Sequence, residues 1–136
     1  LKSSHFLPAL IKKIFIASQS KGKKVVNLWG TGKPLREVLH VDEVAKACEF
    51  FLRKKIKNSL VNIGSPTEMS IKDYANYIKK KIDSEVLIKF NNDKKLDGVM
   101  RKKLNVNLAS SYGWRSKMDF SKKLDEIIED FKNSQR

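Results

Sequence analysis

Three places in this 136-residue chain carry residue types that packing alone does not require. The first is Ser4-His5-Phe6-Leu7-Pro8-Ala9-Leu10, where a histidine stands at a helix start. The partial positive charge of a helix N-terminus favours anionic ligands, and imidazole exchanges protons near neutral pH. The second runs from Leu28 to Asp42 and combines Trp29, the turn Gly30-Thr31-Gly32 and Arg36 between two extended stretches. That arrangement offers an aromatic platform beside a cation. The third is Leu96-Asp97-Gly98-Val99-Met100-Arg101-Lys102-Lys103, a loop that sets a carboxylate just ahead of a basic run. Cys48, the single cysteine, sits on an apolar helical stripe and reads as a core residue, not a nucleophile. With one cysteine there is neither an intrachain disulfide framework nor a cysteine-built zinc site.

The elements that must position these groups follow from hydrophobic periodicity. Leu7, Leu10, Ile11 and Ile14 repeat at helical spacing and predict a helix over 5–20, with Pro8 tolerated in its first turn and Gly22 just past its end. Val25 to Trp29 reads as a short strand ended by Gly30–Pro34, and 37–41 as a second extended stretch. Asp42 is the expected N-cap of a helix carrying Val44, Ala47, Cys48, Phe51 and Leu52 on its buried face. Leu60 to Gly64 reads as a strand. Ser70 caps a helix with Ile71, Tyr74, Ala75, Ile78 and Ile82 inward. Residues 85–90 read as a strand, 91–103 as a long polar loop, and Asp119 caps a last helix with Phe120, Leu124, Ile127, Ile128 and Phe131 inward. The order α-β-β-α-β-α-β-loop-α, without repeats or an evident linker, predicts a single α/β unit over residues 1–136.

Composition narrows the class. The net charge is +14, from 29 Lys+Arg against 15 Asp+Glu, and 40% of the residues are hydrophobic, which argues for a packed core and against disorder. The basic residues are 24 Lys to five Arg and are scattered along the chain. Base and phosphate recognition favours the bidentate fork of Arg, so the charge weighs against a nucleic-acid partner as the main role. No apolar run reaches the ~20 residues of a membrane span, and no signal-peptide pattern opens the chain. A cytoplasmic protein without a membrane partner is the expectation. The chain opens on Leu1 directly before a helical pattern, which reads as a piece of something longer.

Three stretches carry a resemblance. Ser-His-x-x-Pro-Ala-Leu, then Trp-Gly-Thr-Gly-x-Pro-x-Arg-Glu-x-Leu-His-Val-Asp, then Asn-Ile-Gly followed by Ser-Ile-Lys resemble the GDP-L-fucose synthase family of extended short-chain dehydrogenases/reductases. The later Asp-Gly-x-x-Arg-Lys, Leu-Asn-Val and Gly-Trp look like the same family in the same order. The resemblance covers essentially the whole chain and only the family's carboxyl-terminal, substrate-binding part. It implies an α/β fold with the amino-terminal Rossmann portion absent: the glycine-rich dinucleotide turn and the catalytic Ser and Tyr-x-x-x-Lys all precede the segment seen here. Gly30-Thr31-Gly32 does not open a helix and is no dinucleotide fingerprint. Tyr77 and Lys81 satisfy Tyr-x-x-x-Lys but fall inside the 71–82 helix, where they read as ordinary helix residues.

Carried over by position, the resemblance implies that His5 is the acid of the epimerisations and lies near the cofactor. Trp29 and Arg36 match substrate-binding positions, Asp97 a substrate-contacting carboxylate, and Lys102 a base that neutralises GDP phosphate charge. Lys13 matches a substrate-binding position where the family usually has Arg, and so lacks the bidentate fork. The implied parent enzyme is a homodimer. It converts GDP-4-keto-6-deoxy-D-mannose to GDP-L-fucose by 3,5-epimerisation and 4-reduction with NADPH, and the present chain alone would be inactive. Two other readings stay open: part of another nucleotide-sugar epimerase or dehydratase, and a basic nucleic-acid-binding module.

Overall fold

Helical spacing of Leu7, Leu10, Ile11 and Ile14 produces the first helix, α1 (Phe6–Ser18), whose apolar stripe is buried along its length. The computed structural model describes residues 5–57 and 60–135. Ser4, which belongs to the first of the chemistry-bearing stretches, lies outside the described residues. After α1 come β1 (Val25–Leu28), β2 (Leu35–Glu37), α2 (Val41–Leu52), β3 (Glu68–Ser70), α3 (Ile71–Ile82) and β4 (Leu87–Phe90). The chain ends with β5 (Arg101–Lys102), α4 (Asn107–Ser111) and α5 (Phe120–Ser134).

Two small sheets result. β1 pairs in parallel with β4, Val25 opposite Leu87 and Leu28 opposite Phe90. β2 lies between antiparallel β3 and parallel β5, with Arg36 opposite both Met69 and Lys102. The main core gathers α1, α3 and α5 on β1: Ile14, Tyr74, Ile78, Val86, Leu124 and Ile128 are essentially sealed from solvent. Burying such side chains contributes about 1.5–3 kcal/mol each relative to exposure. Edge-to-face contacts of Tyr74 with Phe6 and Phe120 tie the three helices together. A second, smaller cluster packs Trp114 on Ala47 and Ala109.

Several expectations are corrected. The α2 cap is His40, whose Nδ1 accepts the Asp42 N–H at 3.2 Å, so the helix starts at Val41 and not after Asp42. Its buried face is Glu43 and Ala47, whereas Cys48 is exposed and Leu52 is 87% exposed. The reason is that Val44, Cys48 and Leu52 form their own stripe, at i, i+4 and i+8, and the chain turns the Glu43/Ala47 side toward Trp114. Residues 60–64 form no strand. Val61 and Ile63 do pack on the Trp114 cluster, but no described segment pairs with them. The 91–103 stretch is not a plain loop, since it contains a short 3₁₀ turn at Lys94–Leu96 and the paired strand β5. The Ser70 and Asp119 caps stand as expected, accepting the N–H groups of Asp73 and Lys122 at 3.0 and 3.1 Å.

Candidate functional site

Strand alternation decides which residues of the second stretch meet solvent. Val26 and Leu28 point into the core, so Trp29, one residue past the strand, points out and is 76% exposed. The Nζ of Lys13, reaching from α1, lies 5.5 Å from the Trp29 ring centroid. An ammonium over an indole face contributes about 0.5–1 kcal/mol where exposed. The pair presents a flat aromatic surface with a cation beside it.

The turn after Trp29 is gripped from the β4 side. Gly30 and Gly32 both have φ of +74°, a conformation that favours glycine. Gly30 N–H donates to Asn91 Oδ1 at 2.9 Å, and Asn92 N–H donates to the Gly30 carbonyl at 3.1 Å. Asp97 accepts twice from Thr31, at 2.6 Å from its backbone N–H and at 2.7 Å from its hydroxyl. These bonds, the backbone one first, hold the Asp97 carboxyl below the usual carboxylate range.

The segment beyond Asp97 then reaches β2. Arg36 donates through Nη1 to the Val99 carbonyl at 2.8 Å and to the Leu35 carbonyl at 2.7 Å, while Leu35 N–H donates to the Met100 carbonyl at 2.7 Å. Exposed Lys102 sits beside Arg36 in parallel register. Lys13, Trp29, Asp97, Arg36 and Lys102 are thus joined along one rim through the turn and the 91–102 segment. Its side chains are mostly cationic, and the one predicted carboxylate, Asp97, has both oxygens engaged internally. Such a rim suits an anion carrying a planar ring.

His5 stands apart. It N-caps α1 with an exposed side chain and extended backbone (φ −60°, ψ 158°), and its carbonyl accepts the Ala9 N–H at 3.2 Å. Lys13 lies eight positions further on, about 12 Å along the helix axis. Their backbone positions are therefore about two helical turns apart. Near the His5 end, Leu7, Val38, His40, Met118, Phe120 and Leu124 line an apolar hollow of about 240 Å³.

Two glutamates were not singled out by residue type and spacing. Buried Glu43 accepts from Lys46 Nζ, Ser116 Oγ and the Lys117 N–H at 2.8, 2.9 and 2.8 Å. Glu37 accepts the Leu104 N–H at 3.0 Å and crowds Gly64, where a Cβ would come within 3.1 Å of its carboxylate. Tyr74 donates to the Arg36 carbonyl at 3.1 Å, and burial, aided by the charges of Glu37 and Glu68, pushes its hydroxyl up to about 12. Both glutamates bind backbone far away in sequence, and only Arg-Glu adjacency hinted at one of them. Tyr77 and Lys81 both bind Asp125 of α5, at 3.0 and 2.7 Å, so that pair is a helix–helix tie.

Residues 1–64 match the NAD dependent epimerase/dehydratase family. Over 128 residues, 94% of the chain, the sequence is 37% identical to GDP-L-fucose synthase 1 of Arabidopsis thaliana, and covers 39% of that protein. Among solved structures, a GDP-L-fucose synthetase from Naegleria fowleri bound to NADP superposes with a TM-score of 0.81 at 24% identity, over 97% of this chain and 41% of that one. A GDP-mannoheptose C4 reductase from Campylobacter jejuni with NADP bound gives a TM-score of 0.78 at 27% identity, over 96% of this chain and 46% of that one. The chain therefore spans about two fifths of the length of the curated relatives it matches. The α/β architecture is that of the corresponding part of extended short-chain dehydrogenases/reductases.

Proposed function

We propose that this chain, which belongs with the NAD dependent epimerase/dehydratase enzymes, forms the GDP-sugar-binding wall of a GDP-L-fucose synthase. The observation that carries the reading is the spacing along α1: His5 at one end and the Lys13–Trp29 platform about 12 Å further along the axis. A nucleotide sugar has that extended form, with a flat base, a diphosphate and a sugar. In this reading the base stacks near Trp29, and Lys13, Arg36 and Lys102 neutralise the diphosphate. His5 delivers a proton to the carbon next to the 4-keto group during epimerisation at C3 and C5.

The parent reaction ends with reduction at C4 by NADPH. Two stretches that look like dinucleotide chemistry do not fit it: the Gly30–Gly32 turn runs into β2 and not onto a helix N-terminus, and Tyr77 and Lys81 are committed to Asp125, which leaves His5 as the residue proposed to lie near the cofactor. No step of hydride transfer is assigned to this chain, and alone it binds without turning over. The whole enzyme is proposed to be a cytoplasmic homodimer. No helix among the described residues is long and apolar enough to cross a membrane.

The test is calorimetric titration of the chain with GDP, UDP and a single-stranded oligonucleotide at two salt concentrations. GDP binding, stronger than UDP and accompanied by no NADPH oxidation when the keto-sugar is added, is expected. Oligonucleotide binding that exceeds GDP binding and collapses with salt would instead identify a basic nucleic-acid module. Reduction of the keto-sugar by the chain alone would also overturn the reading. A 4-epimerase or 4,6-dehydratase is the second reading. It is favoured if His5→Asn leaves product formation by the whole enzyme intact.

A further inference from the structure

The segment 91–97 makes five hydrogen bonds with the chain between Leu28 and Thr31, and none of them involves the indole itself. Asn91 donates its N–H to the Leu28 carbonyl at 3.1 Å and accepts the Gly30 N–H on its side chain at 2.9 Å. Asn92, with φ of 58° in the left-handed region that Asn tolerates, returns an N–H to the Gly30 carbonyl. Asp97 then closes the far side on Thr31 with two bonds. A Cβ on Gly30 would collide with Asp97 Oδ1, so the close approach exists only because that residue is glycine. The turn is held on both peptide faces while the Trp29 ring stays out in solvent.

We propose that Asp97 is a positioning residue: with Asn91 it clamps the Trp29–Thr31 turn, so that the backbone carrying the indole holds still and the stacking plate moves less. The inference rests on the GDP-sugar reading for the identity of the ligand, and it departs from the expectation that Asp97 itself touches substrate. Each Asp97 oxygen accepts one bond from Thr31, so the carboxylate is oriented by the turn whatever else it meets. Pre-ordering the plate matters because immobilising a mobile exposed aromatic on binding lowers affinity. Arg36, bonded to the Val99 carbonyl two residues after Asp97, is drawn to the same segment, so the clamp also sets the distance between plate and guanidinium.

Thr31 separates the two roles of Asp97, because Thr31→Val removes one clamp bond without altering the carboxylate. The experiment measures GDP affinity and the nanosecond fluorescence anisotropy decay of Trp29 in wild type, Thr31→Val, Asp97→Asn and Asp97→Ala. Trp114 is 6% exposed, so iodide-quenchable emission reports Trp29. A clamp predicts faster indole motion without ligand in Asp97→Ala and, less so, in Thr31→Val. It predicts GDP affinity lowered about tenfold and about threefold respectively, with substantial rescue in Asp97→Asn, whose amide oxygen still accepts the Thr31 N–H. A Thr31→Val protein of wild-type affinity beside a crippled Asp97→Ala protein means direct substrate contact and overturns the proposal. So does unchanged indole motion in both. If wild type does not bind GDP, the functional reading fails, while the anisotropy still decides whether the clamp exists.

Discussion

Replacing Glu43 with alanine is expected to destabilise the chain by about 3 kcal/mol at neutral pH. Three accepted bonds are lost, but they do not count equally. Lys46 has a side chain 67% exposed, so its ammonium returns to water and that contact contributes less than about 1 kcal/mol. Ser116 and the Lys117 N–H close over a carboxylate that is nearly sealed. Bonds to a charged acceptor contribute about 1.5–3 kcal/mol each, and the Ser116 hydroxyl can swing to solvent once released. For a domain of this size that loss lowers the melting temperature by about 10 °C. The dependence on pH follows from the carboxyl being held below its ordinary range, by the Lys46 bond first and then, against the cost of burial, by Lys117 and Ser116. A depressed folded-state value means the stabilisation is complete above the unfolded value of about 4.3 and disappears as pH falls through the lower folded one. The gap between wild type and Glu43→Ala should therefore be constant from pH 7 to about 5 and narrow below about 4. Circular-dichroism melts of both proteins across that range test it, with Glu43→Gln expected between them. A Glu43→Ala protein melting within about 2 °C of wild type at pH 7, or a gap that widens toward acid, would show that the buried carboxylate does not hold the 116–117 segment.

Two further outcomes check the surface and the Tyr77–Lys81 tie. Cys48 should react with a chromogenic disulfide reagent in native buffer about as fast as in denaturant, because α2 leaves it in solvent; strong native protection would return it to the core. Tyr77→Phe combined with Lys81→Met should cost about 1 kcal/mol or less, since it breaks only partly exposed bonds to Asp125 and the Ser121 carbonyl, and should leave GDP affinity unchanged. A tenfold loss of GDP binding in that variant would give the pair a place in the binding site.

Legibility from sequence differs by element. α1, α3 and α5 are legible because each carries a continuous apolar stripe, and for α3 and α5 a side-chain cap as well, both local properties of the chain. The face of α2 is not. Its sequence offers the apolar stripe Val44, Cys48 and Leu52 beside the polar Glu43, and periodicity selects the stripe, yet Ser116 and Lys117 supply the donors that let Glu43 go inside. Residues 60–64 carry β-type alternation but meet no partner strand among the described residues, and a strand is a relation between segments. The site divides the same way. Residue types, spacing and family resemblance nominate His5, Lys13, Trp29, Arg36, Asp97 and Lys102 as candidates. That Asp97 is taken up by Thr31, and that Lys13 lies over Trp29, depends on side chains 66 and 16 residues apart. Which segments carry a helical stripe, and which residue types could do chemistry, is written locally in the chain, because propensity, capping and periodicity act within a few residues. Which partner each polar group takes is settled by the fold, because a hydrogen bond is made to whatever comes within about 3 Å, however distant along the chain.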